Sequence, residues 1–240
     1  MKHKNNTGSS ENSSPLVYPM PLVRVDVACL SVADGELKVL LAQRAEEPYK
    51  SCWGLPGGVL RIDLDASLEL AARRVGRERT QLELGQLDQV ATVGGADRDP
   101  RAPWAMTVVY RCLVGGDFAP ETGKRVDAFR WFTLGELAQA SKKGQIAFDH
   151  HSLVMQAVAG LKADVQAMRF APSWFAEPFT VPELQAFSEA VLGEPLDKVT
   201  FRRRLDVQQV IQPLPGQMRT GPYRPAQLYS LTEKFNASES

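Results

Sequence analysis

Residues 55–82 read LPGGVLRIDLDASLELAARRVGRERTQL. Leu55-Pro56-Gly57-Gly58 reads as a turn, because Pro fixes one dihedral and paired glycines leave the next ones free. A short loop follows, and the stretch from about Ser67 to Thr80 has the spacing of an amphipathic helix opened by a Ser cap. Gly76 lies inside that helix, at a cost of roughly 1 kcal/mol against Ala. Residues three and four apart share one helical face, so Arg74, Glu78 and Arg79 lie together.

The stretch resembles a Nudix box, the loop-helix-loop signature of enzymes that cleave nucleoside diphosphates linked to another moiety. The family pattern runs Gly, five residues, Glu, seven residues, then Arg-Glu-U-x-Glu-Glu-x-Gly-U, with U bulky and apolar. Counted strictly from Gly58, Leu64 and Ala72 fall on the first Glu and the Arg. A two-residue extension of the loop brings Arg74 and Glu78 into place. The remaining acidic positions then hold Ala66, Val75 and Arg79, and the Gly position holds Gln81. In the enzymes, carboxylates on one helix face hold Mg²⁺, a hard cation that bridges to phosphate oxygens. Here Glu78 stands without a second acid, and Arg79 sets a positive charge where a ligand belongs, which repels a dication. The loop is kept, the metal-binding set is not, and no catalytic residue, metal or cofactor is expected.

The chain has 240 residues, 44% of them hydrophobic and 23% charged, with 28 basic and 28 acidic side chains. That is a globular composition, and no apolar run approaches the roughly 20 residues of a membrane span. The tail over residues 1–19 is polar and lacks the apolar core of a signal peptide, which predicts disorder and a cytoplasmic protein. Cys29, Cys52 and Cys112 are scattered, without the spacing of a disulfide framework or a zinc site.

Residues 23–32 alternate and are β-branched, which predicts a strand; Asp34-Gly35 turns the chain, and residues 37–44 return as its hairpin partner. Residues 86–93 and 104–114 read as further strands separated by a loop over 94–103, and residues 130–134 as a strand leading into a helix. An α/β/α sandwich around a mixed sheet fits this order. Asp149 then caps a predicted helix to about Met168, with Leu153, Val154, Ala157, Val158, Leu161, Val165 and Met168 as its buried stripe. His150 and His151 point about 100° apart on a helix and read as first-turn surface residues rather than metal ligands.

Thr180-Val181-Pro182-Glu183 is a capping box opening a helix that ends at Gly193, with Leu184, Phe187, Val191 and Leu192 inward. Asp197 caps a second helix from Lys198 to about Gln208, with Phe201 and Leu205 inward. The pair makes a helix-turn-helix candidate. A strand at Val210-Ile211, a Pro- and Gly-rich basic tip over residues 213–224 and a returning strand over 227–231 would form a wing. Between Leu196 and Tyr229 six basic residues face two acidic ones. Lys198, Thr200, Arg202, Arg203, Arg204, Arg219 and Arg224 are therefore the candidates for meeting phosphates and base edges.

A Nudix-like domain, a linker helix and a winged helix in one chain resemble the Nudix-related transcriptional regulators that repress NAD biosynthesis genes in bacteria. LPGGVLRID (55–63), ADRDPR (96–101), IAFDHHSLV (146–154), LDKVTFRRRL (196–205) and YRPAQLYSL (223–231) carry the resemblance. It implies a sensor domain over residues 20–146, a linker helix over 147–172, a DNA-binding winged helix over 173–232 and a tail over 233–240. It further implies an effector such as ADP-ribose and a homodimer on a double-stranded operator. Chemistry then assigns roles. Gly57 and Gly58 let backbone N–H groups approach a pyrophosphate, and Arg44, Arg98 and Arg101 supply the positive charge, with Arg61 and Arg74 as alternatives. Trp53 or Trp104 would stack on adenine. Asp99 would accept ribose hydroxyls or shape its own turn. An active pyrophosphatase and a regulator that senses a sugar are the rival readings.

Overall fold

The structure, a computed structural model, describes residues 20–115, 120, 125–220 and 225–232. The tails over 1–19 and 233–240 and the expectation for Arg224 lie outside them. The first strand, β1 (Leu22–Ala33), turns through Asp34 and Gly35, at φ 55° and 75°, into β2 (Glu36–Arg44). Two left-handed residues in a row are what a two-residue hairpin requires, and Asp-Gly supplies them at low cost. Two short strands unforeseen in the sequence, β3 (Trp53–Gly54) and β4 (Gly57–Val59), flank the Leu55-Pro56 step. They are followed by α1 (Leu68–Thr80), β5 (Asp88–Gly95), β6 (Ala105–Leu113), β7 (Val126–Thr133) and α2 (Leu134–Lys142).

The seven strands form one mixed sheet in the order β3-β2-β1-β6-β5, with β4 also on β1 and β7 on β2; β1 and β6 run parallel. Alternation along β1 and β6 sorts the core. Val25, Val27, Cys29, Val108, Tyr110 and Cys112 face α1, whereas Ala28, Leu30, Val109 and Leu113 face the opposite layer. That layer is α2 and α3 (His150–Gln166), so the first part of the chain is an α/β/α sandwich.

Gly94 and Gly95 end β5 rather than opening a loop. A Cβ on Gly94 would lie 2.6 Å from the Trp104 indole, which packs across it. Gly76 has a similar cause: a Cβ there would fall 2.5 Å from Leu84 Cδ1, and Leu84 is buried on that surface. The glycine that weakens α1 as an isolated helix is the one its packing demands.

All seven apolar positions expected on α3 are buried. Asp149 does not cap it by side chain; its carboxylate instead accepts from Nη2 and Nε of Arg98, at 2.8 and 3.0 Å. After a 3-10 turn (Pro172–Trp174) come α4 (Val181–Leu192) and α5 (Lys198–Gln208). The Thr180–Glu183 capping box is present on both sides, Gly193 is left-handed at φ 77°, and Asp197 accepts from the Thr200 amide. Strands β8 (Ile211–Arg219) and β9 (Ala226–Leu231) complete a winged helix. The basic tip expected over 213–224 is shorter than the sequence suggests, because β8 continues to Arg219 past an irregularity between Pro213 and Met218. One apolar cluster runs from the sheet through α3 into Leu184, Phe187, Phe201, Leu205 and Leu231. Among the described residues no helix is long and apolar enough to cross a membrane.

Candidate functional site

The 55–58 turn is clamped from beneath. Asp26, fully buried on β1, accepts from Thr107 Oγ1 at 2.7 Å and lies 3.4 Å from an Arg24 nitrogen and 3.8 Å from His150 Nε2. Burial pushes this carboxyl up, but Arg24, His150, the Thr107 hydroxyl and Arg98 together outweigh it and hold it below its ordinary range. A Cβ on Gly57 would fall 1.8 Å from Asp26 Oδ1, and one on Gly58 would fall 2.8 Å from Val75 Cγ2. Both glycines are thus fixed by close approach to side chains behind them. Their outer side borders a cavity.

His150 is not a surface residue. It is 2% exposed, and its Nδ1 accepts from the Leu55 amide at 2.8 Å. The sequence offers no sign of this, because its partners come from distant strands and loops. A ring nitrogen that accepts carries no proton, so the proton sits on Nε2, toward Asp26. Burial drives the imidazole down to about 4, against the pull of Asp26, so the ring is neutral at pH 7.

The cavity above the turn, about 220 Å³, is lined by seven arginines and three glutamates. Of the residues expected there, Arg44, Gly57, Gly58 and Arg101 line it, as do the alternatives Arg61 and Arg74. Arg44 donates to the Pro48 carbonyl at 2.7 Å, and its guanidinium lies 5.1 Å from the Phe148 ring centre. Burial, then Arg24 and Arg101, weaken its hold on its proton. Arg24, Arg79 and Arg125 also line the cavity and were not foreseen. Arg24 sits in an alternating strand whose inward side gives no reason to expect a charge. Arg79 was visible in the sequence only as a misplaced ligand.

Three expected residues are engaged elsewhere. Trp53 lies edge-on to Phe132 in the core, with ring centres 5.2 Å apart. Arg98 is spent on Asp149, and its side chain is 7% exposed. Asp99 holds Arg101 through two bonds of 2.8 and 2.5 Å and accepts the Arg101 amide, so it shapes the turn. Trp104 is 45% exposed but packs over Gly94, outside the cavity lining.

A divalent cation does not fit the residues on α1. Val75 is buried against Gly58, Arg79 donates to the Gly57 carbonyl at 3.2 Å, and Glu78 accepts from Arg74 at 3.0 Å. Arg74 is the structural pivot of the box. It takes both oxygens of Asp65, at 2.7 and 2.8 Å, and the Val59 carbonyl at 3.1 Å. Among the described residues no three His, Cys, Asp or Glu side chains converge.

A larger cleft of about 770 Å³ lies where α1 approaches the 3-10 turn, but its ions satisfy one another, Arg73 with Glu69 and Arg169 with Asp164. On the winged helix, Lys198, Thr200 and Arg203 are exposed on α5. Arg202 and Arg204 do not fan outward as expected. Arg202 pairs with Asp206 at 3.2 Å, donates to the Tyr229 hydroxyl at 3.1 Å and lies over that ring, whereas Arg204 donates to the Gln166 carbonyl of α3. Arg219 donates to the Pro178 carbonyl at 2.8 Å and sits 3.4 Å from Glu183, at the strand end rather than a free tip.

Comparison with known proteins agrees with this division. The NUDIX domain profile matches residues 22–154, and the NrtR DNA-binding winged helix domain profile matches residues 173–231. The ADPR responsive transcriptional repressor NtrR of Acinetobacter baylyi is 38% identical over 212 residues, covering 88% of this chain and 82% of that protein. Shewanella oneidensis NrtR complexed with a 27mer DNA is 34% identical, with a TM-score of 0.74 and 89% and 94% of the two chains covered. The NUDIX domain of the same Shewanella protein, complexed with ADP ribose, is 34% identical, with a TM-score of 0.56, and covers 62% of this chain and 94% of that one. The chain belongs to the NrtR-like regulators, in which a Nudix domain is joined to a DNA-binding winged helix.

Proposed function

We propose that this regulator represses NAD biosynthesis genes and that its Nudix domain senses ADP-ribose or a related nucleotide without hydrolysing it. The observation that carries the reading is the cavity over Gly57-Gly58, where seven arginines outnumber three glutamates. Asp26, Asp65 and Asp99 hold Arg24, Arg74 and Arg101 in place from outside the cavity lining, and guanidiniums offer a diphosphate the bidentate geometry it favours. Arg24, Arg44, Arg79 and Arg101 are the proposed diphosphate ligands. A neutral sugar would gain less than a diphosphate from so many cationic donors, which disfavours the sugar-sensing reading. The relatives' ADP-ribose complex and ADP-ribose response support the choice of nucleotide.

The donor set supports the proposed absence of hydrolysis. With Val75 and Arg79 at two ligand positions, Glu78 has no acidic partner on its helix face. A homodimer on a near-palindromic operator is the proposed binding form, because one winged helix buries too little surface for operator-grade affinity.

One titration tests both parts. ADP-ribose at about 100 times its dissociation constant should add about 2.7 kcal/mol of stability, raising the melting temperature equally in EDTA and in Mg²⁺, with no AMP released. Turnover near 1 s⁻¹ or faster, an ordinary enzymatic rate, would instead establish a pyrophosphatase. A melting shift with a pentose alone would establish a sugar sensor.

A further inference from the structure

We propose that Val199 is a specificity-determining residue of α5, which recognises the 5-methyl group of a thymine in the major groove. The inference rests on the DNA-reading role proposed above.

The first turn of α5 is Lys198, Val199 and Thr200, all exposed, with Val199 76% exposed. The helix is anchored from its other side by Phe201 and Leu205, which are 3% and 0% exposed. Val199 therefore contributes nothing to the core. It contributes nothing to the helix either, because a β-branched side chain loses rotamer freedom there. Val207, two turns further on, is 77% exposed as well, so it is not exposure but the place of Val199 in the first turn that singles it out.

Position on the helix says what Val199 meets. Val199 and Arg203 are four residues apart, hence in one row along the outer face and about 6 Å apart along the axis. Arg202 and Arg204, which flank Arg203, are turned away to Tyr229 and to α3. Arg203 is thus left as the exposed guanidinium of this row. If Arg203 reaches a base edge, Val199 enters the same groove one turn closer to the helix N-terminus, the end that approaches bases most closely in helix-turn-helix docking. Of the four base-pair edges in the major groove, the thymine methyl is the apolar one. Lys198 and Thr200 beside it suit phosphate and polar edges, so Val199 is the member of the turn fitted to the methyl.

Replacing thymine by uracil removes that methyl and leaves pairing unchanged. The operator is first selected from random duplexes with the full-length protein, and each thymine is then replaced in turn. At one position per half-site uracil should weaken wild-type binding about three- to fivefold, the factor expected for burying one methyl group. Val199→Ala should weaken binding to the thymine operator by a similar factor, with a melting temperature no lower than that of the wild type. Uracil should then cost that variant nothing further, whereas Arg203→Ala should keep the thymine preference. Uracil tolerated everywhere by the wild type, or a uracil penalty that persists in Val199→Ala, overturns the assignment. Failure to enrich any sequence would overturn the DNA-reading role itself, a distinct result.

Discussion

His150 joins two layers of the protein through one ring nitrogen, and its protonation breaks that joint. Its folded value of about 4 lies below the ordinary value near 6.5, so between those limits the unfolded chain binds more protons. Stability contributed by the neutral ring is complete above pH 6.5 and is lost as pH falls toward 4, by roughly 3 kcal/mol in all. Between pH 5 and 6 the slope should approach about 1 kcal/mol per pH unit. His150→Gln keeps an acceptor for the Leu55 amide without the titration, so urea midpoints over that window should flatten. Equal slopes in the two proteins would remove His150 as the cause. Asp26 acts lower, because its carboxyl is held below the carboxylate range. A second residue-scale expectation concerns Gly57. The sequence marks it as a turn glycine facing a phosphate, but a Cβ there would overlap Asp26 Oδ1 at 1.8 Å. Gly57→Ala should lower stability by about 1–3 kcal/mol, as overpacking does, and ADP-ribose titrations should show weakened binding. An unchanged melting curve would mean that the turn shifts freely.

Helix α5 shows what a local pattern can and cannot reveal about an element. The Asp197 cap, the Phe201 and Leu205 spacing and the capping box of α4 are all contained within a few residues, and each stands where the sequence places it. Which arginine is free depends instead on Tyr229, from the end of the chain, and on the last turn of α3. No spacing within α5 reports either contact. The two neighbours should therefore behave oppositely. Arg203→Ala should cost about 1–3 kcal/mol of operator affinity if it reads a guanine, with little change in melting temperature. Arg202→Ala should lower the melting temperature instead, because it removes a ring contact at 5.1 Å and a hydrogen bond to Tyr229. Anisotropy titrations beside thermal melts separate these outcomes, and an affinity loss confined to Arg202→Ala would reverse the assignment. The same limit applies to the cavity. Arg44 and Arg101 are expected from the resemblance and their charge, whereas Arg24, Arg79 and Arg125 reach the cavity only through the folding of distant segments onto it.

At the scale of the whole molecule, α3 is shared property of the two domains. Its first residue holds the Leu55 amide, its middle packs on the sheet, and its far end holds the winged helix. Lys162 Nζ donates to the Leu192 carbonyl at 2.9 Å, where a cation also suits the negative end of α4. The sequence shows the buried stripe of α3 but not that the stripe belongs to both domains, because periodicity reports a face and not its partner. A displacement of the 55–58 turn by a bound diphosphate would thus reach α4 and α5 through a continuous set of contacts. Coupling of that kind is typically 1–3 kcal/mol, roughly 5- to 150-fold in affinity, and must be reciprocal. The ratio of operator dissociation constants with and without ADP-ribose should therefore equal the ratio for ADP-ribose with and without operator. The double variant Lys162→Ala, Arg204→Ala removes two polar ties between α3 and the winged helix. Each hydrogen bond is worth about 0.5–1.5 kcal/mol, so the coupling should fall by roughly an order of magnitude while ADP-ribose affinity in the absence of DNA stays unchanged. Coupling that survives intact in this variant would mean that the signal leaves the Nudix domain by another surface, such as the contact between two copies of the chain.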